Sequence, residues 1–280
     1  MSYQTILVHV QLGHSNAGVL HAAKQIAQRC NAAVIGVAVG QQTLMIYGQG
    51  YQLVDFFDRE QTTLEEKINT EKALFEAAFN DHTKPVDWLS VITMEPAVDY
   101  LVAHASSVDL IITGATAGDF YEGPNYANAC GIVMQSGRPV LAVPVNAPVF
   151  NPEEFKLNTM LVGWKESREA RRAIADAIPL LQLATQVIVL EMVAKDHQEG
   201  AAKRLNSVVI WLQSHGIAAQ AVVTVAADTD AAQFIAIAKQ YNADIVITGA
   251  YGHSRFREWV LGGITNELLQ NAHFNSFLSH

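Results

Sequence analysis

The residues best placed to do chemistry are the glycines of Gly249-x2-Gly252-x9-Gly262-Gly263, with Thr265 close behind. Gly249 and Gly252 carry no Cβ, so the backbone can turn tightly there and approach a ligand. Gly262-Gly263 leads into a stretch read as a helix, Ile264–Asn271. The first turn of such a helix offers free N–H groups and the positive end of its dipole. Together these features make an anion nest. Thr265 adds a hydroxyl able to meet phosphate or a phosphate-bound Mg²⁺. No Gly-Lys-Ser/Thr follows, so the loop is not the Walker pattern. It does not follow a first strand either, so it is not the dinucleotide fingerprint of a Rossmann unit. The alternative is a flexible loop with a tight helix start.

The segment that positions this loop occurs twice. Asp109-Leu110-Ile111-Ile112-Thr113-Gly114-Ala115 recurs as Asp244-Ile245-Val246-Ile247-Thr248-Gly249-Ala250. After the first copy the loop reads Gly114-Ala115-Thr116-Ala117-Gly118 and later Tyr126-Ala127-Asn128-Ala129. The second glycine is displaced by one and the later glycine pair is gone. Side chains there would crowd a phosphate, so no ligand is expected in this half. Asp119, Tyr121 and Glu122 either contact the other half or sit on a solvated loop.

The surrounding pattern is α/β. Strands are expected at Thr5–Val10, Ala33–Val39, Val86–Ile92, Leu110–Thr113 and Val140–Val143. Helices are expected at Ser15–Arg29, Val54–Phe79 and Glu95–Ala105, with Ser15 or Asn16 as the first N-cap. The second half repeats the order. Its strands are Met160–Gly163, Val187–Met192, Ala219–Val225, Ile245–Thr248 and Phe277–Ser279. Its helices are Ser167–Leu183, capped by Ser167, then Ala201–His215 and Ala231–Tyr241. The apolar runs are continuous, as in sheets covered on both faces. Alternating strands and helices imply parallel βαβ units with right-handed crossovers. A polar stretch with Pro148 and Pro152 spans Asn146–Lys156, which divides the chain into domains 1–148 and 157–280.

The composition narrows the class. The chain has 280 residues, 50% of them apolar and 16% charged, with a net charge of −9. No apolar run approaches the roughly 18 residues needed to cross a bilayer. The start, Met1-Ser2-Tyr3-Gln4, has no basic n-region, so a soluble, cytoplasmic protein is expected. The acidic balance, with no basic run longer than Arg171-Arg172, argues against nucleic acid as a partner. It leaves a nucleotide possible, because backbone N–H groups alone can hold phosphate. Cys30 and Cys130 form neither a disulfide framework nor a metal spacing. His9, His14 and His21 lack the carboxylate or thiol that would complete a zinc set.

The stretch from Gly249 to Thr265, with its Gly-Ala-Tyr-Gly-His-Ser-Arg wording and Gly-Gly-x-Thr ending, resembles the nucleotide signature of the universal stress protein family. The likeness extends over both repeats and is strongest from Asp244 to Leu269. It implies two tandem five-stranded α/β sandwich domains of the adenine-nucleotide α-hydrolase-like kind. It also implies that they pack as an intramolecular pseudo-dimer through their fifth strands, Val140–Val143 and Phe274–Leu278. Asn275-Ser276 would weaken the latter strand. The resemblance implies ATP or another adenine nucleotide, with Mg²⁺ or Mn²⁺ held through its phosphates.

Carried across, Gly249, Gly252, Gly262 and Gly263 match the phosphate loop, bordered by Thr248 and Ile264. Thr265 partly replaces the hydroxyl that Gly263 lacks. Gly163, Trp164, Lys165 and Met192 would line the nucleoside pocket. Lys165 stands where members usually have Asp, and Gln11 stands there in the first half. Lys165 can only donate; it either reaches phosphate or lies in solvent beside Glu166. Trp164 either stacks on a base or packs on the following helix. His253 either approaches the ligand or caps the turn. No base or Walker-type lysine is visible, so any hydrolysis would be slow.

Overall fold

The computed structural model describes residues 2–42, 50–115, 127–145, 155–226, 230–250, 268 and 274–280, and for 50–56 the backbone alone. The first unit runs β1 (Thr5–His9), α1 (Ala17–Cys30), β2 (Ala33–Gln41), α2 (Gly50–Ala78), β3 (Val86–Thr93), α3 (Ala97–His104), β4 (Leu110–Ala115), α4 (Ala129–Ser136) and β5 (Val140–Pro144). The second runs β6 (Thr159–Gly163), α5 (Arg168–Asp176), α6 (Ile178–Leu181), β7 (Gln186–Val193), α7 (Gln198–Ser214), β8 (Ala219–Val225), α8 (Asp230–Gln240), β9 (Ile245–Gly249) and β10 (Asn275–Ser279).

All ten strands form one sheet, ordered β3-β2-β1-β4-β5-β10-β9-β6-β7-β8. Within each unit the pairings are parallel. The units join antiparallel, with Ser276, Phe277 and Leu278 opposite Ala142, Leu141 and Val140. The expected pairing of fifth strands is therefore formed inside one chain. It covers an edge that each unit alone would leave open. β10 begins at Asn275, two residues earlier than the apolar pattern suggests. Its polar residues are buried, because Asn275 Nδ2 donates to the Asp244 carbonyl at 3.1 Å and Ser276 Oγ donates to the Phe274 carbonyl at 3.2 Å.

One sheet face carries a single core through both units. Ile6, Val8, Leu141, Phe277, Met160 and Val189 lie there beneath α1, α2, α5 and α7. The other face splits. Leu7, Ile111 and Val140 pack under α3 and α4, whereas Leu161, Ile188 and Val246 pack under α8.

The repeated aspartate fixes the first strand of each unit. Asp109 Oδ2 accepts from the backbone N–H groups of Gln4 and Thr5 at 2.7 and 3.0 Å. Asp244 Oδ2 accepts from those of Asn158 and Thr159 at 2.8 and 2.9 Å. Each carboxylate serves donors at the start of β1 or β6.

Two local expectations are corrected. The helix expected over Ser167–Leu183 is two, because Pro179 has no N–H to continue the ladder and the chain breaks at Ala177. Asn16 does stand at the N-cap of α1, yet its side chain makes no cap bond. It instead grips Gln11, accepting from its N–H at 3.0 Å and donating to its carbonyl at 2.9 Å. Ser167 does cap α5, accepting from Ala170 N at 3.2 Å.

Candidate functional site

In an open parallel sheet a ligand crevice forms where the strand order reverses, outside the carboxyl ends of the strands. Here that point lies between β9 and β6 in the second unit and between β4 and β1 in the first. Gly163 and Thr248 are register partners across the second switch point, and Gly163 also pairs with Leu190 of β7. The structure thus brings Gly163, Trp164, Thr248 and Gly249 together, with Met192 one strand away. Gly252, His253, Gly262, Gly263, Ile264 and Thr265 lie outside the described residues. Leu268, in the middle of the expected last helix, is buried in the α8 core.

Each described residue has a clear setting. Trp164 is buried in the core that also holds Ala170, Ala173 and Ile174 of α5. Its Nε1 has no hydrogen-bond partner among the described residues. Lys165 is exposed, and its carbonyl accepts from Ser167 N at 2.7 Å. Glu166 is ion-paired with Arg171. Met192 packs with Phe234 on the α8 face. The Thr248 hydroxyl is buried and has no partner among the described residues.

The glycines are needed first by the protein itself. A Cβ on Gly249 would lie 2.6 Å from the Glu169 carbonyl carbon and 2.8 Å from Ala170 N. The first turn of α5 rests on that glycine. A Cβ on Gly163 would lie 3.0 Å from the Phe234 ring and 3.2 Å from Thr248 Cγ2. The chain then anchors where the glycine loop departs. Ala250 N donates to the Ser279 carbonyl at 2.7 Å, and His280 Nδ1 lies 3.1 Å from the Ala250 carbonyl. Ala250 is buried in the first unit's core, beside Val140 and Leu278.

The first switch point is closed differently. His9 stands where the second unit has Gly163, and its Nδ1 lies 2.9 Å from Thr113 Oγ1. Burial lowers its pKa from 6.5 to about 4, so the ring is neutral. Gln11 stands where the second unit has Lys165. A Cβ on Gly114 would collide with its side-chain oxygen. Side chains at the strand ends therefore fill the first site, in addition to whatever its altered loop contributes. The second unit makes the opposite exchange, a small residue on the strand and the large Phe234 on the helix.

His9, Phe234 and Glu191 escape a motif search. Aligning the two copies strand by strand would have flagged His9 and Glu191, since it sets His9 against Gly163 and Ala38 against Glu191. Glu191 is buried, and Arg204 Nη2 donates to its Oε1 at 3.0 Å while its Oε2 has no partner among the described residues. Among the described residues no group of three His, Cys, Asp or Glu side chains is placed to hold a metal ion.

The model of the universal stress protein family matches residues 156–276. The second unit is a universal stress protein domain. A universal stress protein from Archaeoglobus fulgidus DSM 4304 has the same fold, with a TM-score of 0.72 at 14% identity, over 98% of this chain and 95% of that one. A functionally unknown protein from Pseudomonas aeruginosa PAO1 follows with a TM-score of 0.62 at 12% identity, over 99% and 92%. No curated protein matches the chain. The structural likeness spans both halves, so the universal stress protein fold is present twice. Among the described residues no helix is long and apolar enough to cross a membrane.

Proposed function

We propose that this universal stress protein binds an adenine nucleotide through its second unit, at the carboxyl ends of β6 and β9, and regulates a stress response through that binding. One observation carries the reading. Thr113 and Thr248 occupy the same place on the fourth strand of the two units, yet among the described residues only Thr113 has a side-chain hydrogen-bond partner. A buried hydroxyl without a partner is costly and uncommon. At Thr248 it directly precedes the glycine loop, where a ligand's polar group would satisfy it.

In this reading Gly249, Gly252, Gly262 and Gly263 present N–H groups to the phosphates, with Thr265 and Ile264 at the helix start. Lys165 and His253 border the phosphates, and Mg²⁺ or Mn²⁺ is held through them. Gly163, Trp164 and Met192 border the nucleoside. The first unit binds no nucleotide. The nucleotide acts by its presence, with at most slow hydrolysis, in a cytoplasmic protein whose two domains meet near residue 150. Two chains associating as a homodimer would extend the same arrangement.

A second reading has its own support. The packing of α5 on Gly249 gives that glycine a purpose without any ligand. A protein-interaction scaffold that binds no nucleotide would keep it. The test is to purify the protein without added nucleotide, denature it and analyse the supernatant for adenine nucleotides. ATP–Mg²⁺ is then titrated calorimetrically into wild type and Gly252→Val. Ligand at 100 times its Kd stabilises a fold by about 2.7 kcal/mol, a visible melting shift. No shift at millimolar ATP favours the scaffold, and equal binding by Gly252→Val places the site elsewhere.

A further inference from the structure

Two buried polar atoms with opposite hydrogen-bonding needs lie on neighbouring strands of the second unit, and neither serves the other. Trp164 Nε1 is a donor and Glu191 Oε2 an acceptor, and both lack partners among the described residues. Both residues are more than nine-tenths buried. Gly163 pairs with Leu190, and Trp164 N donates to the Leu190 carbonyl at 2.7 Å. Trp164 and Glu191 therefore follow as neighbours at the carboxyl ends of β6 and β7. Their side chains share a face. Trp164 belongs to the core under α5 and α7, and Glu191 is held by Arg204 of α7. The first unit has Val10 and Ala38 at these places, both fully buried and apolar. The polar pair is thus confined to the unit that carries the glycine loop.

The same register row contains Gly249, because Thr248 pairs with Gly163 just as Leu190 does. Gly249, Trp164 and Glu191 lie on three adjacent strands. The first turn of α5 covers Gly249 at one end of this row, which leaves the polar pair at the other end. A hydroxyl group fits both needs, since its oxygen accepts from the indole N–H and its proton goes to the carboxylate. An anion would be repelled by Glu191, and a carbonyl would leave that oxygen unmet.

We infer that Trp164 and Glu191 read a sugar hydroxyl of the ligand, with Arg204 holding the carboxylate in place. The inference rests on the nucleotide reading above and adds a specificity pair to it.

The test uses the full chain and three probes, namely ATP, 2′-deoxy-ATP and 3′-deoxy-ATP, each with Mg²⁺, in calorimetric titrations of wild type, Glu191→Gln and Trp164→Phe. Melting curves show whether each variant is folded. Wild type is expected to bind at least one deoxy analogue roughly tenfold more weakly than ATP, the loss expected when a hydrogen bond to a charged group disappears. Both variants are expected to lose that discrimination, a ratio that a purely structural defect would not move. Tight ATP binding with equal affinity for both analogues overturns the inference and leaves the nucleotide reading standing. Discrimination that survives in both folded variants overturns it as well. Failure of wild type to bind ATP overturns the nucleotide reading and this inference together.

Discussion

His9 Nδ1 lies 2.9 Å from Thr113 Oγ1, and this buried contact closes the switch point of the first unit. At the corresponding place in the second unit, Gly163 has no side chain to offer, and the Thr248 hydroxyl is unmet among the described residues. The exchange of His9 for Gly163 thus removes the side chain that meets the strand threonine, and the Phe234 ring takes up the space beside it.

The closure has a pH signature. The folded chain holds the His9 pKa at about 4 through burial, against 6.5 when unfolded. As pH falls from 6.5 towards 4 the unfolded chain takes up a proton that the folded chain refuses. Stability is therefore full above about pH 6.5 and declines below it, by about 3 kcal/mol at the lower end. Urea unfolding at pH 7 and pH 4.5 should show a smaller acid loss for His9→Gln than for wild type. An equal loss in both would place the titrating group elsewhere.

Gly249 is predicted to matter without any ligand. A methyl group there meets the backbone of α5, which cannot yield as a flexible side chain can. Gly249→Ala should cost about 1–3 kcal/mol in nucleotide-free protein, the range for overpacking. Denaturant midpoints check this, and an unchanged midpoint would return Gly249 to a ligand role alone.

The two aspartate clamps should act alike and independently. Asp109→Ala and Asp244→Ala each leave two strand N–H groups without their carboxylate. Each should cost about 1–2 kcal/mol, and the double variant should lose the sum, because the sites share no partner. A midpoint that does not move would show that water serves those N–H groups equally well.

Glu191 and Arg204 form a pair that is safer removed together than singly. The Glu191 side chain is 6% exposed and that of Arg204 is 43% exposed. Arg204→Ala strands a buried carboxylate and should cost about 3 kcal/mol. Glu191→Ala with Arg204→Ala copies the apolar Ala38 of the first unit and should recover most of that loss. Equal destabilisation of the single and double variants would mean that Arg204 contributes by packing alone.

Much of the architecture was legible because it depends on short-range regularities. Continuous apolar runs marked the strands, and the doubled Asp-to-Ala segment marked the duplication. The break at Ala177 was legible in principle from Pro179. The longer β10 was not, because Asn275 and Ser276 become acceptable strand residues only once their side chains find partners. Of the candidate site, Gly163, Trp164, Thr248 and Gly249 could be placed at strand ends because each lies at or just after the close of an apolar run. Phe234 could not be singled out, since its importance lies in what it packs against, whereas His9 and Glu191 stand out only when the two copies are set side by side.

By itself the sequence determined two α/β units, their order of elements and the asymmetry of their glycine loops. These follow from hydrophobic period and from residues with special backbone freedom, properties that each segment carries alone. Only the tertiary structure decided that β5 and β10 fuse two sheets into one, that His9 meets Thr113 across the first switch point, and that Trp164 and Glu191 stand on neighbouring strands, each with one polar atom unpartnered among the described residues. Those facts depend on strand register and on which face a side chain takes, and both are set by contacts between residues far apart in the chain.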